Sequence, residues 1–251
     1  MRPAVVLLVV SLSAAPSRAE PSTEPETAPI ITVPGFSAGT LLASDDFDSP
    51  IASRWSIELE NGGTVAANDD RLDINVPAGA TVWWKPKLTG PVLIQYTTKV
   101  IKADGPNDRV SDLNCFWMAH DPLHADLLAF PRSGKFTDYN TLLSYYVGVG
   151  GNGNTTTRFR RYIGDPKVRP LLPEHDLHGP GDFLTPNTQQ TLDLVAAGQL
   201  IEFYRDGKRV FHFVDAHPYE SGWFAFRTTK NHMRVSHFRV WQLVSTPMTQ
   251  P

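Results

Sequence analysis

Apolar residues recur at every second position in one short segment after another along this chain. In "RLDINVP" they are Leu72, Ile74 and Val76; in "PVLIQYTTKVI", Ile94, Tyr96, Thr98 and Val100 share a side. A strand buries alternate side chains, whereas a helix buries every third or fourth. The same period runs through "LNCFWMA", "LLSYYVGVGG", "TTTRFRRYI", "QQTLDLVAAG", "GWFAFRTT" and "MRVSHFRVWQL". No stretch sustains a helical period; residues 122–143 have room for a short helix at "HADLLAF". In "YRDGKRV", Asp206-Gly207 supplies a two-residue hairpin turn that matches strand twist. Many short strands separated by turns predict an all-β chain, a jelly-roll β-sandwich of two antiparallel sheets.

One strand carries an unusual second face. In "SDLNCFWMAHDP", residues 111–122, alternation sets Leu113, Cys115, Trp117 and Ala119 on a core face. Asp112, Asn114, Phe116, Met118 and His120 fall opposite, where a merely solvated face would carry Thr, Lys and Glu. By the same rule Tyr145, Val147, Val149, Phe203, Phe211, Phe213, Phe238 and Val240 belong to the core between the sheets. Cys115, the single cysteine, reads as a small buried hydrophobe and leaves no partner for an intrachain disulfide.

The 251 residues are 41% hydrophobic and carry a formal net charge of −3. That composition supports a real core and offers no overall field for nucleic acid or an anionic membrane. At the N-terminus Arg2 precedes "AVVLLVVSLSAA", and "SRA" ends at Ala19, the pattern of a secretory signal peptide. The run is too short to span a bilayer comfortably, so stable membrane insertion is not expected. The expected organisation is a signal peptide over 1–19, a flexible Pro-, Thr- and Glu-rich leader over 20–40, one β-sandwich domain over 41–245 and a tail over 246–251. The mature protein is expected to be a secreted or periplasmic monomer.

Four stretches carry a family resemblance: "LDINVPAGATVWWKPKLTGPVLIQY", "RVSDLNCFWMAHDP", "YYVGVGGNGNTTTRFRRY" and "GKRVFHF" with "GWFAFRTTKNHMRVSHFRVWQL". They resemble the DUF6250 family. That family is similar to the YesU-type domain found with rhamnogalacturonan-degrading genes, and both resemble the concanavalin A-like lectin/glucanase fold. The resemblance implies a jelly roll whose concave sheet forms a sugar-binding groove, with a polysaccharide or oligosaccharide as partner. It does not name a reaction.

On such a sheet Asn114, His120, Tyr146, Arg158 and Arg160 form a candidate site. His120 and Tyr146 are the candidate catalytic pair. Asn114, Asp112, Arg158, Arg160, Trp84, Arg227 and His232 are candidate substrate ligands. Each has a structural alternative: a turn histidine, a half-buried tyrosine, arginines guarding a sheet edge, a core tryptophan. Glycoside hydrolysis by two carboxylates is poorly served, because no Glu-x-Asp-x-x-Glu stretch occurs. A lyase needs cations to neutralise a uronate carboxylate and a Tyr or His to move a proton, and this inventory has both. The expectation is cleavage of an acidic polysaccharide by β-elimination, with a hydrolase or a non-catalytic carbohydrate-binding module as alternatives. No cofactor or metal is expected. "EHDLH" at 174–178 is a weak cation candidate, and "GVGGNGN" lacks the Lys-Ser/Thr of a phosphate loop.

Overall fold

A computed structural model describes residues 31–246. The expected signal peptide and residues 20–30 of the expected leader lie outside that range. Two eight-stranded antiparallel sheets account for most of the described chain. The first runs Lys208–Val214, Leu200–Arg205, Gln190–Ala197, Val92–Val100, Asn231–Ser245, Leu72–Val76, Thr64–Ala67, with Phe36–Asp45 also paired to Asn231–Ser245. The second runs Asp176–Leu177, Thr156–Ile163, Leu143–Gly150, Leu113–His120, Ser221–Thr228, Ala80–Trp84, Trp55–Leu59, with Leu88–Thr89 against Ser221–Thr228. This is the jelly-roll sandwich that the alternation predicts.

The main core lies between the sheets. Leu113, Cys115, Trp117, Tyr145, Val147, Val149, Phe203, Phe211, Phe238 and Val240 are buried there, with Phe213 half-buried against them. Desolvation pushes the Cys115 thiol up to about 12, so it stays protonated and inert. Asp206 (φ 51°) and Gly207 (φ 73°) both occupy the left-handed region, which is the turn that the hairpin requires.

Three expectations change. The strand Phe36–Asp45 begins inside the stretch read as flexible leader. Val33 is buried with Tyr204 and Trp241 on the outer face of the first sheet, and the Tyr204 hydroxyl donates to the Thr32 carbonyl at 3.1 Å. The segment 122–143 forms two single 3₁₀ turns, Leu127–Ala129 and Phe136–Tyr139, and no α-helix. The third change is in strand Leu113–His120, where alternation breaks after Trp117. Ala119 pairs with Trp223 and Phe116 with Ala225, so Trp117 and Met118 together oppose one residue. This is a β-bulge, with Met118 at φ 51°. Met118 therefore joins the inter-sheet core and Ala119 turns to the outer face. A Cβ on Gly222 would lie 2.2 Å from the Met118 carbonyl carbon, so the glycine opposite makes room for the bulge.

Candidate functional site

Strand register assembles the site as two rows across the outer face of the second sheet. One row runs Asp176, Arg158, Gly148, Asn114, Arg227, Thr81, Glu58. The next runs Arg160, Tyr146, Phe116, Ala225, Trp83, Ser56. Each neighbour in a row comes from a different strand, so residues far apart in sequence stand about 5 Å apart.

Both rows are buried over most of their length, Asn114, Arg227, Thr81 and Glu58 in the first and Phe116, Ala225 and Trp83 in the second. Over Phe116, Ala225 and Trp83 lies the connection between the strands Leu113–His120 and Leu143–Gly150. Leu127, Tyr139 and Leu142 from this connection are fully buried against those residues, and Phe136 packs beside them. Buried Glu58 fixes this cover: it accepts from Trp83 Nε1 (2.9 Å), the Tyr139 hydroxyl (2.7 Å) and the Arg132 amide (2.7 Å). Arg132 also pairs with Asp121 at 2.7 Å, and Arg227 donates to the Gly134 carbonyl at 2.6 Å. At roughly 1.5–3 kcal/mol for each large apolar side chain removed from water, lifting this cover is costly.

Beyond the cover, at the Arg158–Arg160 end, a pocket of about 250 Å³ remains. Asp112, Tyr146, Gly148, Arg158, Arg160, Arg169 and Thr229 line it, with Phe136 as a wall and the turn Gly151–Asn152 at its rim. The turn is held in place: Asn154 donates to the Leu184 carbonyl and accepts from the Leu184 amide at 2.9 and 2.8 Å. Arg158 makes a paired contact with Asp176 (2.7 and 3.1 Å). Arg160 donates to the carbonyls of Arg169 and Pro170, and so holds the loop that brings Arg169 in. Arg169 donates to the Tyr162 hydroxyl at 3.2 Å and stands over the Phe136 ring. Burial, and then repulsion from Arg169, lowers the Arg160 pKa from its ordinary value. Three arginines therefore line one small cavity, with Asp112 in the same lining and Asp176 paired to Arg158.

Tyr146 stands at the pocket floor. Its pKa lies well above the ordinary phenol range through burial, with Tyr162 and Asp112 adding to the effect. The phenol therefore stays protonated and can donate a hydrogen bond. A Cβ at Gly148 would lie 2.6 Å from the Tyr146 hydroxyl and 3.1 Å from Asn114 Oδ1, so glycine keeps that space open. Asn114 is 2% exposed and its Oδ1 accepts no hydrogen bond among the described residues. Asp112 accepts from Ser111 (2.6 Å) and Thr229 (2.7 Å), with Arg109 at 3.7 Å.

Of the residues expected from sequence, Tyr146, Asp112, Arg158 and Arg160 line this pocket and Asn114 adjoins it. Four do not. The bulge reverses the parity of His120, which meets the Tyr219 ring edge-on and lines a separate surface depression with Lys87, His124 and Glu220. Its pKa is lowered, chiefly by burial. Trp84 is in the inter-sheet core against Trp55 and Phe238; Trp83 is its outward neighbour and lies under the cover. Arg227 shares the site's row but is buried beneath the cover, over Phe136 and Tyr139. His232 belongs to the first sheet, between Asp108 (2.9 Å) and Asp73 (3.2 Å). In "EHDLH", Asp176 is paired with Arg158 and His178, and His175 is buried against Phe159. Sequence reasoning missed Arg169, Phe136 and Thr229; Arg169 and Phe136 come from irregular loops, where no period marks a facing side.

The model of the DUF6250 family, a domain of unknown function, matches residues 74–238. The chain belongs to the DUF6250 family. No functionally curated protein matches it. Among solved structures, this DUF6250 chain is similar to a Bacillus subtilis protein of unknown function with a galectin-like fold. The TM-score is 0.67 at 16% identity, over 84% of this chain and 100% of that one. It is also similar to carbohydrate-binding module CBM66 from Bacillus subtilis (TM-score 0.52, 11% identity, 75% and 95% covered). A third likeness is β-agarase B from Zobellia galactanivorans (0.54, 10%, 85% and 96%). At these identities the likeness concerns the fold.

Proposed function

We propose that this protein is exported and recognises an anionic saccharide, a uronate-bearing one, in the pocket of Arg158, Arg160 and Arg169. The presence of those three arginines and Tyr146 in the lining of one pocket carries the reading. A carboxylate there replaces water with charge-assisted hydrogen bonds, each worth roughly 1.5–3 kcal/mol. The structural neighbours named for carbohydrate binding and agar hydrolysis support a saccharide as the ligand class.

Cleavage by β-elimination is the second reading, and Tyr146 favours it. Arginines on the uronate carboxylate would acidify the C5 proton, and Asp112 would accept it. The electron pair would form the C4–C5 double bond as the C4–oxygen bond breaks, and the Tyr146 phenol would protonate the departing oxygen. The experiment is incubation with a panel of uronate, sulfated and neutral polysaccharides, with binding, ultraviolet absorbance of the unsaturated product and reducing ends followed separately. Binding confined to uronates is the expected result. Absorbance and reducing ends rising together indicate the lyase; reducing ends alone indicate a hydrolase; saturable binding with neither indicates a binding module. Preference for neutral glycans would overturn the proposal.

A further inference from the structure

We infer that the pocket takes the end of a saccharide chain and not an internal stretch, an inference that rests on the anionic-saccharide reading above. Among the described residues, the pocket lies at the Arg158–Arg160 end of rows whose continuation across the sheet is buried. A glycan laid across the strands from Arg158 would next have to pass Asn114, Arg227 and Thr81, or from Arg160 pass Phe116, Ala225 and Trp83. All of these are buried. The cover that buries the second set is fastened from below through Glu58 and from the side through Arg132–Asp121 and Arg227–Gly134, so it is a fixed wall. Its Phe136 ring meets the Tyr146 ring edge-on (5.8 Å between centroids) and closes the pocket on that side. Arg169, held by Arg160 and Tyr162, closes another side, and the left-handed turn at Asn152 (φ 53°) and Gly153 (φ 73°) bounds the sheet end. The remaining volume, about 250 Å³, is below the roughly 300–1,000 Å³ of pockets that enclose drug-sized ligands. It suits a single sugar unit and little more.

End-on recognition has a consequence in ligand length. Units beyond the first project into solvent and add little, whereas an open groove gains affinity with each unit it contacts. The test is calorimetric titration of uronate oligosaccharides of one to six units, together with one long polymer before and after partial depolymerisation. Affinity that changes less than about threefold beyond the second unit is expected, with binding sites per gram of polymer rising in proportion to chain ends. Affinity that climbs tenfold or more from dimer to hexamer, with sites following polymer mass, would overturn the inference and leave the anionic reading standing. A plateau shared equally by neutral oligosaccharides would support end-on binding and overturn the anionic reading. No binding at any length overturns both.

Discussion

A methyl group at position 148 would collide with the Tyr146 hydroxyl at 2.6 Å and press on Asn114 Oδ1 at 3.1 Å, beside the proposed anion pocket. Gly148→Ala is therefore expected to weaken uronate binding by at least tenfold while the fold persists; calorimetry beside a thermal melt checks it. A second residue tests the electrostatics away from the site. Asp193, buried in the first sheet, accepts from Gln95 at 2.7 Å, yet burial pushes its carboxyl up to about 6. A carboxyl raised on folding contributes stability that is complete below its unfolded value, roughly 4, and is lost as pH rises through about 6. Asp193→Asn keeps the acceptor for Gln95 and removes the charge. The variant is expected to be more stable than wild type by on the order of 1–2 kcal/mol at pH 8, a difference that vanishes near pH 4. Melting curves across that range decide it.

At the scale of elements, regular strands were legible in the sequence and irregular segments were not. Alternation identified Leu113, Cys115 and Trp117 as core and set Tyr146, Arg158 and Arg160 on the opposite face, because period two survives wherever pairing is regular. It failed at Met118, since a bulge inserts one residue and reverses every later side chain, and His120 was lost from the site for that reason. Trp84 was misread because a pair of adjacent tryptophans does not reveal which one faces out. The cover over the sheet was invisible: its Phe136, Tyr139 and Leu142 lie in short turns whose burial depends on where the loop folds back. Its anchor makes a prediction. Glu58→Ala strips the partner from Trp83, Tyr139 and the Arg132 amide at once, and each orphaned group costs roughly 1–3 kcal/mol. A fall of several kcal/mol in urea-unfolding stability is expected; a change below about 1 kcal/mol would mean the cover is not held through Glu58.

The whole molecule carries net charge −3, yet one end of one sheet gathers Arg158, Arg160 and Arg169 against Asp112 and Asp176. Screening extends over roughly 8 Å at physiological salt, so the proposed attraction for an anion is expected to be local to the pocket and to fall as salt rises. His120 stands outside this field, and His120→Ala is expected to leave uronate affinity within about twofold. The sandwich itself depends on residues such as Trp117, whose replacement by Ala is expected to cost about 3–5 kcal/mol without altering which ligands are preferred. The most direct measurement is calorimetric titration of a diuronate and its uncharged methyl ester into wild type and Arg169→Gln. Wild type is predicted to bind the diuronate at least tenfold more tightly than the ester, and Arg169→Gln to lose most of that preference. Equal affinity of wild type for the charged and uncharged ligands would contradict the account.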